Sequence, residues 1–108
     1  MKQNELIGTA FMPKERISYA EGSVVSQQLT QNAAGNITLF AFDKGQQLSE
    51  HSAPFDAVIQ LLEGEAEIRI DGVSHHLTAD QMIIMPADIP HAVLATTRFK
   101  MLLIMIKG

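Results

Sequence analysis

The 108-residue chain, 11.9 kDa, supplies material for one domain, too little for two ordinary cores or a separate cofactor domain. Its composition, 46% hydrophobic and 19% charged, excludes disorder, and a net charge of -4 without a basic cluster leaves no electrostatic footprint for nucleic acid. The absence of cysteine removes disulfides, thiolate nucleophiles, Cys-type zinc sites and iron–sulfur clusters together.

The chain opens with MKQNELIGTAF, which lacks the basic region, long apolar stretch and small-residue cleavage site of a secretory signal. Residues 1–22 read as an N-terminal arm. Within it Met12 to Tyr19 (MPKERISY), with proline near its start, fits either one helical turn or an extended segment. Residues 23–106 then form a succession of short apolar or alternating runs separated by Gly, Pro, Asn and Asp, with no 3.6-residue period, the pattern of an all-β domain. The expected strands are Val24–Leu29, Asn36–Phe42, Leu48–His51, Asp56–Leu62, Glu65–Ile70, Val73–Thr78, Gln81–Met85, His91–Ala95 and Phe99–Ile106. So many strands in one small domain imply a sandwich or barrel.

Glu65, Glu67 and Arg69 alternate with Ala66, Ile68 and Ile70, giving that strand one wet face and one buried face. The Asp71-Gly72 pair that follows favours a type I′ turn and predicts a hairpin with Val73–Thr78. Glu63-Gly64 marks a tight connection before it. Two segments, NITLFAF (36–42) and KMLLIMIK (100–107), are apolar on both faces and ask for burial on both sides. A homodimer built on one or both of these strands is therefore expected, the other solution being an N-terminal arm folded over the same surface. The longest strictly apolar run, Met101 to Ile106, is far short of the roughly 20 residues of a membrane helix, so a soluble, cytoplasmic protein without membrane partners is expected.

The chemistry falls to four histidines, His51, His75, His76 and His91. His51 and His91 lie beside Pro54 and Pro90 and can meet if their strands line one cavity. His75 and His76 are neighbours that alternation sends to opposite faces, His75 inward and His76 to solvent. Glu63, Glu65 and Glu67 belong to a turn and a solvated strand face. No G-x-S-x-G, G-x-G-x-x-G or Walker pattern is present.

Two segments resemble the cupin motifs. GQQLSEHSAPFDAVIQLLEG (45–64) is similar to the first, a Gly, five residues, His-x-His, a Glu after three or four more and six residues to a closing Gly. DQMIIMPADIPHAVLA (80–95) is similar to the second, Gly-x5-Pro-x-Gly-x2-His-x3-Asn. Gly45, His51, Gly64, Pro86 and His91 match. The resemblance implies a single-domain cupin-type double-stranded β-helix, a jelly-roll β-barrel of six to eight strands that is often dimeric. It also implies a metal held by three His and one Glu. Here Ala53 stands at the second His and Ala57 at the Glu, while Asp80, Asp88 and Ala95 replace the two glycines and the Asn of the second motif. Of the implied ligands only His51 and His91 remain, so a divalent metal (Zn, Ni, Mn or Fe) would be held weakly.

The expected function is the binding of a small organic molecule in the barrel, in a pocket formed by His51, His91, Gln47, Phe40, Phe42, Phe55, Met82 and Met101. Met85 and Met105 also fall on barrel strands, where methionine ordinarily packs the core. The alternative is a metal-dependent oxygenase, isomerase or decarboxylase using His51 and His91 plus a non-motif ligand, for which Gln47, Ser49 and Asp56 are the nearest candidates.

Overall fold

A computed structural model describes residues 4–107, so the first three residues of the arm lie outside the described residues. Among the described residues nine strands form: β1 (Val24–Asn32), β2 (Gly35–Phe42), β3 (Gln47–His51), β4 (Asp56–Glu63), β5 (Glu65–Ile70), β6 (Val73–Thr78), β7 (Met82–Met85), β8 (His91–Leu94) and β9 (Phe99–Ile106). All pairings are antiparallel. A five-stranded sheet runs β1-β2-β9-β4-β7 and a four-stranded sheet runs β3-β8-β5-β6. Their inner faces close the jelly-roll barrel around a core that includes Phe42, Ile59, Leu61, Ala66, Ile68, Val93, Phe99 and Met101. Among the described residues of the arm only Pro13–Glu15 is helical, a single 3-10 turn. Among the described residues no helix is long and apolar enough to cross a membrane.

Asp71-Gly72 closes the β5–β6 hairpin with both residues at positive φ, 51° and 79°, the geometry of a type I′ turn. Gly64 makes the corner where the chain passes from β4 in one sheet to β5 in the other. Its φ is +82°, and a Cβ there would collide with the Arg98 carbonyl. Asp80 (φ 73°) and Asp88 (φ 66°) also adopt left-handed backbone. They stand at the glycine positions of the second motif, and Asp tolerates that conformation better than most residues. Those two departures from the motif therefore preserve the backbone.

The doubly apolar segments are β2 and β9, adjacent in the five-stranded sheet and in register from Gly35↔Ile106 to Phe42↔Phe99. Part of their outer face is covered from within the chain. Ile17 of the arm and Leu29 bury Leu39 and Ala41 in a second apolar cluster, joined by Leu6, Tyr19 and Leu102. Polar contacts fasten the arm. The Tyr19 hydroxyl donates to Glu63 Oε2 at 2.6 Å, its ring lies under Arg98 and Lys100, and Lys100 Nζ donates to the Lys14 carbonyl at 2.7 Å. Burial, then the Glu63 carboxylate, raises the phenol's pKa above its usual value. At the foot of the arm Asp43 accepts from Gly22 N–H and Arg98 Nε, both at 2.7 Å, and these contacts, the amide first, hold its carboxyl below the usual range.

Beyond the arm, the same outer face carries an aliphatic row that opens to solvent toward β7. Ile37, packed against the arm's cluster, is followed by half-buried Ile104 and Val58 and then by Ile84, which is 63% exposed; the four are successive cross-strand partners on β2, β9, β4 and β7.

Gly64→Ala should destabilise the fold by about 2–4 kcal/mol, because positive φ and a backbone collision coincide. Asp80→Gly, which relaxes the backbone, should change stability by no more than about 1 kcal/mol. Urea unfolding followed by circular dichroism reads both values. Equal effects would contradict this account of the two corners.

Candidate functional site at the barrel mouth

The β3–β8 ladder runs Gln47↔Leu94 and Leu48↔Val93, then shifts so that His51 faces His91. Three residues on β3 oppose two on β8, a β-bulge that changes which side chains face inward. Leu48 takes the inner face with Val93. The bulge then returns His51 to the inner face, where its ring meets that of His91 edge-on with centroids 4.5 Å apart. His51 is exposed at the mouth, whereas His91 is 6% exposed.

Two loops frame the pair. Asp88 N–H donates to the Ala53 carbonyl at 2.7 Å, and Ala87 N–H to Asp56 Oδ1 at 2.9 Å. The Asp71 N–H donates to the Pro90 carbonyl at 2.8 Å, fixing the chain just before His91.

Each imidazole is oriented by the carbonyl two residues before it. His51 Nδ1 lies 2.7 Å from the Ser49 oxygen and His91 Nδ1 3.3 Å from the Ile89 oxygen. A carbonyl only accepts, so each Nδ1 carries a proton, and in a neutral ring of that tautomer Nε2 is the atom that presents the lone pair. Burial, then the proximity of His51, pushes the His91 pKa below its usual value, which keeps that ring neutral at pH 7.

Beneath the pair is a cavity of about 50 Å³, lined by Leu48, His51, Ala53, Ala57, Ile59, Met85, His91, Val93, Met101, Leu103 and Met105. Of the residues expected to form the pocket, His51, His91 and Met101 meet there. The other five lie elsewhere. Gln47 is exposed, because the bulge breaks the count of two that placed it beside His51. Phe42 is fully buried and stacked on Phe99 at 4.5 Å, with Phe40 tilted against it. The Phe42–Phe99 pair lies six residues along β2 from the Asn36–Met105 pair, roughly 20 Å away. Phe55 sits in the mouth loop under the Lys107 ammonium, outside the cavity lining. Met82 faces outward from edge strand β7, opposite Gln60, and is 56% exposed. His75 is half-buried on the inner face, away from the His pair, and His76 is exposed beside Glu65 at 3.2 Å. Met85, Met105, Ala53 and Ala57 are lining residues that belong to the site although the expected pocket omitted them.

The chain matches the Cupin domain family model over residues 38–107. It is 36% identical to a conserved protein of unknown function from Streptococcus pyogenes, with a TM-score of 0.91 over 98% of this chain and 93% of that one. A cupin superfamily protein from Desulfitobacterium hafniense is 32% identical, TM-score 0.87, covering 93% of each chain. A cupin 2 conserved barrel domain protein from Leptotrichia buccalis is 39% identical, TM-score 0.84, over 87% of this chain and 46% of that one. No curated protein matches the chain. The chain belongs to the cupin family.

The family's ligand set of three His and one Glu does not fit this site. Ala53 and Ala57 point no donor at the cavity they line, Asp56 is turned to the Ala87 amide, and Gln47 is outside. Among the described residues no group of three His, Cys, Asp or Glu side chains is placed to hold a metal ion.

The depressed His91 pKa has a defined consequence for stability. Above the unfolded pKa of about 6.5 both states hold a neutral ring; as pH falls below it the unfolded imidazole takes a proton that the folded one resists, and stability is lost down through the folded pKa. Between pH 7.5 and 5, the thermal midpoint of the natural protein should therefore fall more than that of His91→Gln. Parallel midpoint curves would show that His91 carries no such linkage.

Proposed function

We propose that the protein is a binding module for a small organic molecule, held at the barrel mouth by hydrogen-bond donors reaching the Nε2 atoms of His51 and His91. The observation that carries this reading is the pair of imidazoles, each tethered at Nδ1 to the carbonyl two residues before it, that meet edge-on over an apolar cavity with His51 exposed to solvent. Such convergence of a few polar groups on an apolar recess is the usual character of a ligand site. The recess is well below the roughly 300–1,000 Å³ of a pocket that encloses a drug-sized ligand, so only a few heavy atoms enter and the remainder lies against the mouth. A hydroxyl, amide or ammonium beside a short apolar group suits two acceptors over methionine and leucine. The enzymatic alternative with a divalent metal lacks its third and fourth ligands.

Thermal-shift screening of metal-free protein against small alcohols, amines, sugars and carboxylic acids tests the proposal. At least one donor-bearing compound should raise the midpoint, and His91→Ala should abolish the shift. Shifts that survive in His91→Ala, or no shift from any compound, would remove it.

We also propose that the protein works as a homodimer through the part of the aliphatic row that the arm leaves open. Ile104, Val58 and Ile84 cross three strands without a charge, with Ile106 (55% exposed) and Met82 beside them. A two-fold axis sets this surface against itself and buries both rows with no unpaired charge. Light scattering after size exclusion should give about twice 11.9 kDa at micromolar concentration. Ile84→Lys, on an exposed edge position, should weaken the dimer at least about tenfold while the monomer stays folded. A natural protein eluting at the mass of one chain would end the proposal.

A further inference from the structure

We propose that the cavity beneath His51 and His91 is a cuprous-ion site, with the two imidazoles and the thioethers of Met85 and Met105 as its donors. The inference rests on the His pair being a binding site and adds an occupant of different chemistry from the organic molecule. It begins at Ala57, which stands where the family resemblance expects a carboxylate. The direct cross-strand partners of Ala57 are Met85 on β7 and Met105 on β9. Directly opposed residues in an antiparallel ladder have Cβ atoms about 4.5–5.5 Å apart, so two flexible thioethers flank the vacated position. Both methionines line the same cavity as both histidines, with Met101 a further lining thioether. Where the family motif supplies one hard, charged donor, this chain supplies soft, neutral ones.

Donor chemistry selects the ion. Thioethers suit Cu(I), imidazole suits copper, and hard divalent ions call for carboxylate or water oxygens that the cavity walls do not offer. Charge selects in the same direction. Imidazole and thioether are neutral as ligands and the remaining lining is apolar, so nothing offsets the charge of a buried ion, and the desolvation cost rises with the square of that charge. A monovalent ion is favoured over a divalent one. The cavity of about 50 Å³ suits an ion better than an enclosed organic molecule. Second-sphere contacts are in place. The Ser49 and Ile89 carbonyls engage the Nδ1 atoms and leave each Nε2 free as a donor to the ion, and Asn36 Nδ2 lies 3.9 Å from Met105 Sδ. Exposed His51 and buried His91 give the ion a path from solvent to its seat.

The test is anaerobic titration of the full chain with Cu(I) in competition with bicinchoninate, alongside Zn(II) with a zinc-responsive chelator. One equivalent of Cu(I) should be retained, Zn(II) should be lost at least 100-fold more readily, and X-ray absorption should show nitrogen and sulfur neighbours. Selenomethionine protein should show a copper–selenium distance, a signature that a purely packing role for the methionines cannot produce. Met85→Leu combined with Met105→Leu, which keeps core volume, should weaken Cu(I) at least tenfold with circular dichroism unchanged. Failure to retain Cu(I), a copper shell without sulfur or selenium, an unweakened double variant, or Zn(II) held as tightly as Cu(I) would each overturn the proposal. Organic-ligand shifts measured on metal-free protein are independent of all four results, so the two readings can fail separately.

Discussion

The fold depends on where β9 is seated. It lies at the centre of the five-stranded sheet, hydrogen-bonded to β2 on one side and β4 on the other, and it contributes Phe99, Met101 and Leu103 to the core. Its outer face is apolar as well, with Leu102 packed by the arm's cluster and Ile104 in the aliphatic row. A strand with this burden cannot tolerate a polar residue along most of its length, which is why KMLLIMIK lacks the alternation seen in β5. Without β9, β1 and β2 would form an isolated ribbon and the barrel would lose the wall that carries Met101 and Met105.

Much of this organisation was legible in the sequence because it depends on period and turn chemistry. The nine strands fall where short apolar or alternating runs were bounded by Gly, Pro, Asn and Asp, and the Asp71-Gly72 hairpin follows from backbone sterics alone. The ends were less exact: β1 continues through Thr30, Gln31 and Asn32, whose polarity gave no sign of strand. The site was legible only in its centre. His51 and His91 were paired by motif spacing, but the inward placement of Gln47 assumed an uninterrupted count of two. The polar run Ser49, Glu50, His51 carries no hydrophobic signal to reveal the bulge. Met82 was misplaced because MIIM is apolar at every position and alternation cannot say which face is wet. Phe40 and Phe42 were assigned the correct face but not their distance along the barrel axis from the histidines, a quantity that pairing between sheets sets and local sequence does not encode.

The departures from the family motifs divide into two physical kinds. Asp80 and Asp88 replace glycine yet keep the left-handed backbone that glycine serves, so the loops that frame the mouth retain their course. Ala53 and Ala57 remove donor atoms and leave their positions facing the cavity. The course of the loops around the mouth is thus preserved, while the motif's carboxylate is lost and its position is flanked by the neutral thioethers of Met85 and Met105. The paired carbonyl tethers on His51 and His91 fit that division, since they engage the two Nδ1 atoms without adding charge.

The seat of β9 also governs the order of events as the chain is made. Phe42 of β2 pairs with Phe99 of β9, 57 positions later in the chain. At typical synthesis rates of about 5–20 residues per second, β2 emerges about 3–11 seconds before its partner exists. During that interval its two apolar faces have only β1 and the arm to shield them. The arm, which in the finished protein looks like a late addition to the outside of the barrel, is in time the first cover that strand receives.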